Sequence, residues 1–63
     1  MTNHSVIQLK QRCETLIYDM VGKDLYDTWW SSPNKAFDGK TPLVMFAESP
    51  ITVYNYLMRF VYG

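Results

Sequence analysis

The stretch from Trp29 to Pro42 reads WWSSPNKAFDGKTP, and it divides the chain into a part before a loop and a part after it. Pro33 disfavours helical backbone at the residue before it, so a helix through the two tryptophans has to end there. Asp38-Gly39 is typical of a turn. Thr41 followed by Pro42 places a capping hydroxyl before a proline at the first helical position. The stretch therefore predicts the end of one helix, a loop and the start of another helix.

Before this stretch, apolar residues recur at helical spacing from Ser5 to Val21 and predict an amphipathic helix. They are Val6, Leu9, Cys13, Leu16, Ile17, Met20 and Val21. Asn3 or Ser5 is expected to cap the start of this helix, and Gly22 to end it. A shorter helix is expected from Asp24 to Ser31.

After the stretch, a short helix is predicted from Pro42 to about Ala47. Ser49-Pro50 repeats the same start signal and predicts a last helix to about Tyr62. Its predicted apolar stripe, flanked by Tyr54 and Tyr56, consists of Val53, Leu57, Phe60 and Val61. Because no segment sustains a period of two, a β-hairpin is not expected. We predict one all-α domain over residues 1–63, a small bundle of about four short helices.

The composition favours a folded binding domain rather than a disordered chain. Of 63 residues, 48% are apolar and 16% aromatic. A core this small has difficulty enclosing all ten aromatic rings, and Trp and Tyr are common interface anchors. Some of the rings are therefore expected to face a partner, and a homodimer is one way to bury them.

Charge and cysteine content exclude several function classes. Six basic and six acidic residues cancel, without a run of like charge, so direct nucleic-acid binding is not expected. No apolar stretch reaches the length of a membrane span, and the first twelve residues do not resemble a signal peptide. The single cysteine, Cys13, fits a reducing cytoplasm, and one histidine is too few for a zinc site, so no metal is expected.

The order of residues from Trp29 to Pro42 resembles the toxin-binding domain of the Xre/MbcA/ParS antitoxins. That family shows a helix ending in Trp and an apolar residue, a Pro-Asn loop, a small-then-bulky apolar pair and a Gly-x-x-Pro helix start. The matching residues are Trp29-Trp30, Pro33-Asn34, Ala36-Phe37 and Gly39 to Pro42, and the family's C-terminal pattern fits Val53, Leu57, Arg59, Tyr62 and Gly63. The resemblance covers about residues 24–63.

The chain departs from the family in three places. Complete antitoxins of this family carry an N-terminal DNA-binding and dimerising region, for which the residues before Val21 leave no room. We therefore expect a stand-alone toxin-binding module. Phe37 stands where the family usually has Leu, and Asp38 where a small residue is common. These two differences predict an altered binding preference.

The resemblance implies a non-catalytic protein that inhibits an enzyme. The family's toxins are RES-domain or ParT-like proteins that consume NAD or transfer ADP-ribose, and the antitoxin covers their active site. The expected partner-binding residues are Trp30, Asn34, Phe37, Lys40, Arg59, Tyr62 and Gly63, whereas Trp29, Pro33, Gly39, Thr41 and Pro42 are expected to be structural. No cofactor is implied. Asn34 also fits the bonding of loop backbone by its own side chain.

Adjacent tryptophans lie about 100° apart on a helix, so we expect one in the core and one at the surface. Trp29, four residues after Leu25, is assigned to the core, and Trp30 to the loop or the partner. Catalysis is not expected. Cys13 lies on the apolar stripe, where a cysteine acts as a small hydrophobic residue, and His4 lies near the chain terminus. Asp24 and Asp27 lie on one short helix, where they are expected to be solvated.

Two alternative functions remain at this stage. One is a small adaptor or inhibitor, for which a viral origin would suit so compact a module, that binds an unrelated host protein through aromatic side chains. The other is a dimeric regulatory protein. A nucleic-acid-binding regulator is opposed by the neutral net charge.

Overall fold

The computed structural model describes residues 4–63, without the side chain of His4. It contains four α-helices: α1 (His4–Val21), α2 (Tyr26–Ser31), α3 (Pro42–Glu48) and α4 (Pro50–Tyr62). A single turn of 3-10 helix, Lys35–Phe37, lies in the loop between α2 and α3. Residues 4–63 form no β-strand. The predicted all-α bundle is confirmed.

The long first helix ends where the sequence predicts. Gly22 has a φ of +85°, and its N–H donates to the Tyr18 carbonyl oxygen at 3.0 Å. A left-handed residue that donates back into the last turn is a common helix stop, and glycine adopts it without strain. The expected capping role of Ser5 is wrong, since Ser5 already lies inside α1. Asn3, the other candidate, lies outside the described residues.

The second helix starts two residues later than predicted. Lys23 to Leu25 form a turn, and Tyr26 is the first helical residue. Leu25 therefore points away from the core and is 53% exposed. The end of α2 agrees with the prediction: Ser32 is extended, and its hydroxyl donates to the Thr28 carbonyl oxygen at 2.7 Å. That bond satisfies one of the carbonyls left free at a helix end.

The last two helices both start at a proline, as predicted, but they are capped differently. Thr41 Oγ1 accepts a hydrogen bond from the Val44 N–H at 3.2 Å, which is an N-cap in the expected form. The Ser49 hydroxyl instead shares a hydrogen bond of 2.8 Å with the Thr52 hydroxyl. The predicted starts are thus confirmed, whereas side-chain capping of the backbone holds for α3.

All four α-helices and the 3-10 turn contribute to one apolar core. Its buried members are Cys13, Leu16, Ile17, Trp30, Phe37, Phe46, Val53 and Leu57. The largest helix contact is between α1 and α4, followed by that between α3 and α4, while α2 packs against α1 and α3. α4 is bordered by α1 on one side and by α3 and the loop on the other. A depression therefore lies along each of these two borders of α4.

The predicted assignment of the two tryptophans is wrong. Trp30 is 6% exposed, whereas Trp29 is only partly buried at the edge of the core. The Trp30 ring makes edge contacts with Tyr26, Trp29 and Phe46, and the Lys10 ammonium lies 5.4 Å from its centre. Neighbours on several sides leave Trp30 no room to serve as a partner contact.

The predicted stripe of α4 is correct except at Phe60. Val53 and Leu57 are fully buried and Val61 is partly buried, but Phe60 is 62% exposed. Successive residues turn by about 100°, so Phe60 lies within about 40° of the Val53–Leu57 line and shares its side of α4. At the last turn of the chain the loop does not extend far enough to cover it. In the first helix, Val6 is similarly exposed at the chain's other end.

Candidate protein-binding surface

The loop between α2 and α3 is organised by Asn34. Its Oδ1 accepts a hydrogen bond from the Ala36 N–H at 2.9 Å, and its own N–H donates to the Lys40 carbonyl oxygen at 3.0 Å. Its carbonyl oxygen accepts from the N–H groups of Phe37 and Gly39, both at 3.0 Å. The prediction that Asn34 bonds loop backbone is confirmed. These bonds hold the loop in one conformation before any partner arrives.

Two consecutive left-handed residues reverse the chain after Phe37. Asp38 has a φ of +57° and Gly39 a φ of +81°. Glycine takes this conformation freely, and Asp is among the few other residues that tolerate it. The reversal allows the Lys40 N–H to donate to the Phe37 carbonyl oxygen at 3.0 Å. The predicted turn at Asp38-Gly39 is therefore confirmed, and it fixes where Phe37 points.

Lys40 joins the loop to the end of α3. Its Nζ lies 2.7 Å from Glu48 Oε1, in an exposed ion pair. The hydrogen bond that Lys40 donates to Glu48, together with the negative charge of Glu48, raises the pKa of Lys40 above the usual range. Exposed pairs of this kind contribute little to stability. A partner that uses Lys40, as predicted, has to compete with Glu48 for it.

Phe37 is 4% exposed, which corrects its assignment as a partner contact. Its ring packs edge-on against Tyr56 with centres 5.1 Å apart, and Tyr56 contacts Phe60 at 5.5 Å. Burial decreases along this row, from the buried Phe37 through the partly buried Tyr56 to the exposed Phe60. The three rings form an aromatic row that runs from the core to the surface.

A shallow depression of about 660 Å³ lies alongside this row, between the loop and one side of α4. We call it the loop–α4 surface. It is lined by Ala36, Phe37, Thr52, Asn55, Tyr56, Arg59 and Phe60. Among the lining residues, Arg59 alone is charged. An exposed ring beside an unburied guanidinium is the combination that protein interfaces favour.

The structure separates the predicted residues of the C-terminal tail. Arg59 lines the loop–α4 surface, but Tyr62, which is 71% exposed, lies on the other side of α4 against α1. Gly63 is exposed at the end of the chain. The seven predicted contact residues therefore do not form one patch: two are in the core, and the others divide between the loop and both sides of α4.

Sequence reasoning missed Tyr56 and Phe60 as members of this surface. Both were placed on or beside the core stripe of α4, because aromatic residues at i and i+4 normally extend such a stripe. The available signal was the number of aromatic rings, ten in a chain with a small core, which predicted that some would be exposed without indicating which.

The residues considered for catalysis are poorly placed for it. Cys13 is fully buried, and burial, with a smaller effect of Glu14 opposed by Lys10, raises its pKa to about 11. A thiol in that state supplies little thiolate at neutral pH. Asp24 and Asp27 are exposed to solvent, as predicted, and the side chain of His4 lies outside the described residues.

Across the described part of the chain, no three His, Cys, Asp or Glu side chains lie close enough together to hold a metal ion. None of the helices in the same part is long and apolar enough to cross a membrane.

Comparison with known proteins finds no matching family model, no matching curated protein and no matching solved structure.

Proposed function

We propose that this chain is a non-catalytic protein-binding module that inhibits an NAD-consuming or ADP-ribosylating enzyme of the RES or ParT type by covering its active site. The contact is made by the loop–α4 surface. The exposure of Phe60 beside Arg59, next to the hydrogen-bonded loop, is the observation that carries the proposal. The enzyme class comes from the antitoxin resemblance of residues 24–63.

The rigid backing of Phe60 supports this role. An exposed phenylalanine is unfavourable in water, and burial of the ring in a partner recovers roughly 2 kcal/mol or more of transfer free energy. Tyr56, which itself packs on the buried Phe37, contacts the Phe60 ring, so this ring loses less conformational entropy on binding than an unsupported side chain would. Arg59 precedes Phe60 and lies about 100° from it around α4. It is placed to pair with a carboxylate at the edge of the same contact.

The loop supports the proposal in a different way from that predicted. Trp30 is a core residue that does not line this surface, and Phe37 lines it with only a small exposed fraction, so neither supplies much of the contact. The exposed loop residues, which are open to a partner, are Pro33, Lys35, Ala36, Asp38, Gly39 and Lys40. The residues from Trp29 to Pro42 that resemble the antitoxin domain would then build the loop beside Arg59 and Phe60, and these two residues would make the main contact.

A non-catalytic role agrees with the state of the titratable groups. The raised pKa of the buried Cys13 argues against a nucleophile there. We place the module in the cytoplasm, where an unpaired thiol such as Cys13 stays reduced.

The proposal is tested by adding the purified chain, tagged at Met1, to a panel of purified RES- and ParT-type enzymes while following NAD consumption. Stoichiometric loss of activity with one of them is expected. Phe60→Ala should weaken that inhibition about tenfold or more, the effect of a typical anchor. Ile51→Ala, which removes a 49% exposed apolar side chain at the other end of α4, serves as the control. Unchanged NAD consumption across the panel would refute the proposed enzyme class.

An adaptor that binds an unrelated protein is a second candidate function. Leu43, Val44 and Ile51 are each about half exposed at α3 and the start of α4, away from the C-terminal end. Phe60→Ala discriminates the two candidates, since it should weaken inhibition of a toxin-type enzyme while leaving binding through α3 and the start of α4 intact.

A further inference from the structure

A groove follows the junction of α1 and α4, on the opposite side of α4 from the loop–α4 surface. It consists of two adjoining depressions of about 440 and 240 Å³. Both depressions are lined by Arg12 and Tyr54, so they are parts of one continuous feature. Along α1 it extends from Ser5 to Leu16, a rise of about 16 Å, which is enough to hold three turns of a helix.

The lining of the groove is apolar in the middle and polar at its margins. Leu9, Leu16 and Met58 supply the apolar part, while Thr15 and the two tyrosines, Tyr54 and Tyr62, bring hydroxyl groups. Apolar lining with polar margins suits an amphipathic helix laid lengthwise, with its apolar side down.

The charge of the groove selects the partner. Arg12 lies at its centre and is exposed, and among the residues that line the two depressions no other carries a full charge. The ion pair formed within residues 4–63 is that of Lys40 and Glu48, far along the chain from Arg12. An incoming helix therefore meets an uncompensated guanidinium, which favours a carboxylate at the edge of its apolar side.

A second copy of this chain fits the groove poorly. In a two-fold pairing of two such grooves, residues near the axis meet their own copies, so the central Arg12 side chains of the two chains would face each other. Like charges at such a contact are repulsive. The first turn of α1 also brings no acidic residue that could compensate them.

We propose that the α1–α4 groove is a second docking site, which binds an acidic amphipathic helix of another protein with a carboxylate paired to Arg12. The site is separate from the loop–α4 surface, so the chain can hold two partners, one on each side of α4. This inference does not depend on the identity of the inhibited enzyme.

The test uses the full chain and a synthetic 15-residue helical peptide. One side of the peptide helix consists of Leu and Ala, and a single Glu stands at the edge of that side, midway along the peptide. A matched peptide carries Gln in place of that Glu. Binding is followed by fluorescence anisotropy, and its location by amide chemical shifts in a ¹⁵N-labelled chain. The Glu peptide is expected to shift the resonances of Thr15, Tyr54 and Met58.

The charge pair is measured by a double-mutant cycle. Arg12→Gln should lower the affinity for the Glu peptide about fivefold, which is the effect of a single exposed ion pair. The unchanged chain should likewise bind the Gln peptide about fivefold more weakly than the Glu peptide. Combining both changes should add no further loss. Lys23→Gln, which removes an exposed cation from outside both the groove and the loop–α4 surface, is the control and should leave binding of the Glu peptide unchanged.

Several results would overturn the proposal. One is the absence of shifts at millimolar peptide, and another is shifts centred on Tyr56 and Phe60 instead of the groove. Equal binding of the two peptides would refute the pairing with Arg12. Concentration-dependent sedimentation that is abolished by Met58→Glu, a change in the apolar lining of the groove, would show that a second copy occupies the groove.

Discussion

Cys13 is the buried titratable group whose pKa is most clearly displaced, and it makes the stability of the chain depend on pH. Its pKa rises from 9.0 to about 11 because burial disfavours the thiolate. A raised folded-state pKa means that the stabilisation is complete below pH 9 and is lost as the pH rises through 11. We expect the free energy of unfolding to fall by about 2 kcal/mol between pH 8 and pH 10.5 from this thiol.

Urea unfolding at several pH values measures the effect, with Cys13→Ala as the control. The subtraction is necessary because burial also raises the pKa of Tyr26, with a further rise from Glu14 and an opposing effect of Trp30. The phenol therefore contributes in the same direction at high pH. If the wild-type chain and Cys13→Ala lose stability in parallel, the thiol of Cys13 is not held neutral by the fold.

The Trp30 indole carries a polar group that the core does not satisfy. Its Nε1–H lowers the pKa of the nearby Tyr26 phenol, yet within residues 4–63 no acceptor lies in hydrogen-bonding geometry to it. An unsatisfied buried donor removes much of the benefit of burying the ring. Trp30→Phe should therefore change the unfolding free energy by about 1 kcal/mol or less, whereas Trp30→Ala should reduce it by about 3–5 kcal/mol.

Thermal and urea unfolding of the two variants decide the matter. If Trp30→Phe and Trp30→Ala lower the unfolding free energy by similar amounts, the indole N–H makes a stabilising hydrogen bond, for which the Tyr26 hydroxyl is the nearest candidate acceptor. Leu25→Ala, on the exposed side of the preceding turn, is the control for a substitution outside the core.

At the scale of the helix, the starts of α3 at Thr41-Pro42 and of α4 at Ser49-Pro50 allow the same helix signal to be compared with and without a side-chain cap. Thr41 caps α3 through its hydroxyl, while the Ser49 hydroxyl is engaged with the Thr52 side chain. Loss of an N-cap hydrogen bond costs about 1 kcal/mol. We expect Thr41→Ala to lower the unfolding free energy by about that amount and Ser49→Ala by less than half of it, measured by urea unfolding. A larger loss at Ser49 would contradict the difference between the two starts.

The helix boundaries were largely predictable, because the signals that set them are local. Pro33 ends α2, Gly22 ends α1, and proline begins both α3 and α4. The start of α2 was missed by two residues because Asp24 and Leu25 have acceptable helix propensity. The turn there is decided by how α2 packs on α1 and α3, which no short window of sequence contains.

The candidate surface was less predictable than the helices. Trp29 and Trp30 have the same chemistry, and their order of burial depends on where Phe46 and Lys10 arrive from distant parts of the chain. Phe60 fits the helical period of the core but lies beyond the reach of the loop. Periodicity fixes which residues share a side of a helix, and only tertiary packing fixes which of them are covered.

For the whole molecule, the small core leaves little stability to lose. A chain of 63 residues has an expected unfolding free energy of roughly 3–9 kcal/mol. Nine large apolar side chains of the described part of the chain stay substantially exposed, so part of the apolar surface that could stabilise the fold is left for contact with partners. A bound partner would then add to stability in proportion to the logarithm of its concentration.

Leu57→Ala tests this balance. Leu57 is fully buried in α4, where both α1 and α3 pack, and removal of such a side chain costs about 2–5 kcal/mol. We expect a lower melting temperature by circular dichroism and a measurable unfolded fraction at 37 °C. Leu43→Ala, which removes the same side chain from a position 54% exposed, should melt within a few degrees of the unchanged chain.

The consequence of Leu57→Ala for binding separates stability from recognition. Since the side chain reaches neither the loop–α4 surface nor the α1–α4 groove, the folded fraction should bind with unchanged intrinsic affinity. The apparent affinity should fall only by the folded fraction, and saturating partner should restore the helical signal. A loss of affinity that persists where the variant is fully folded would mean that the core geometry around Leu57 shapes the binding surface directly.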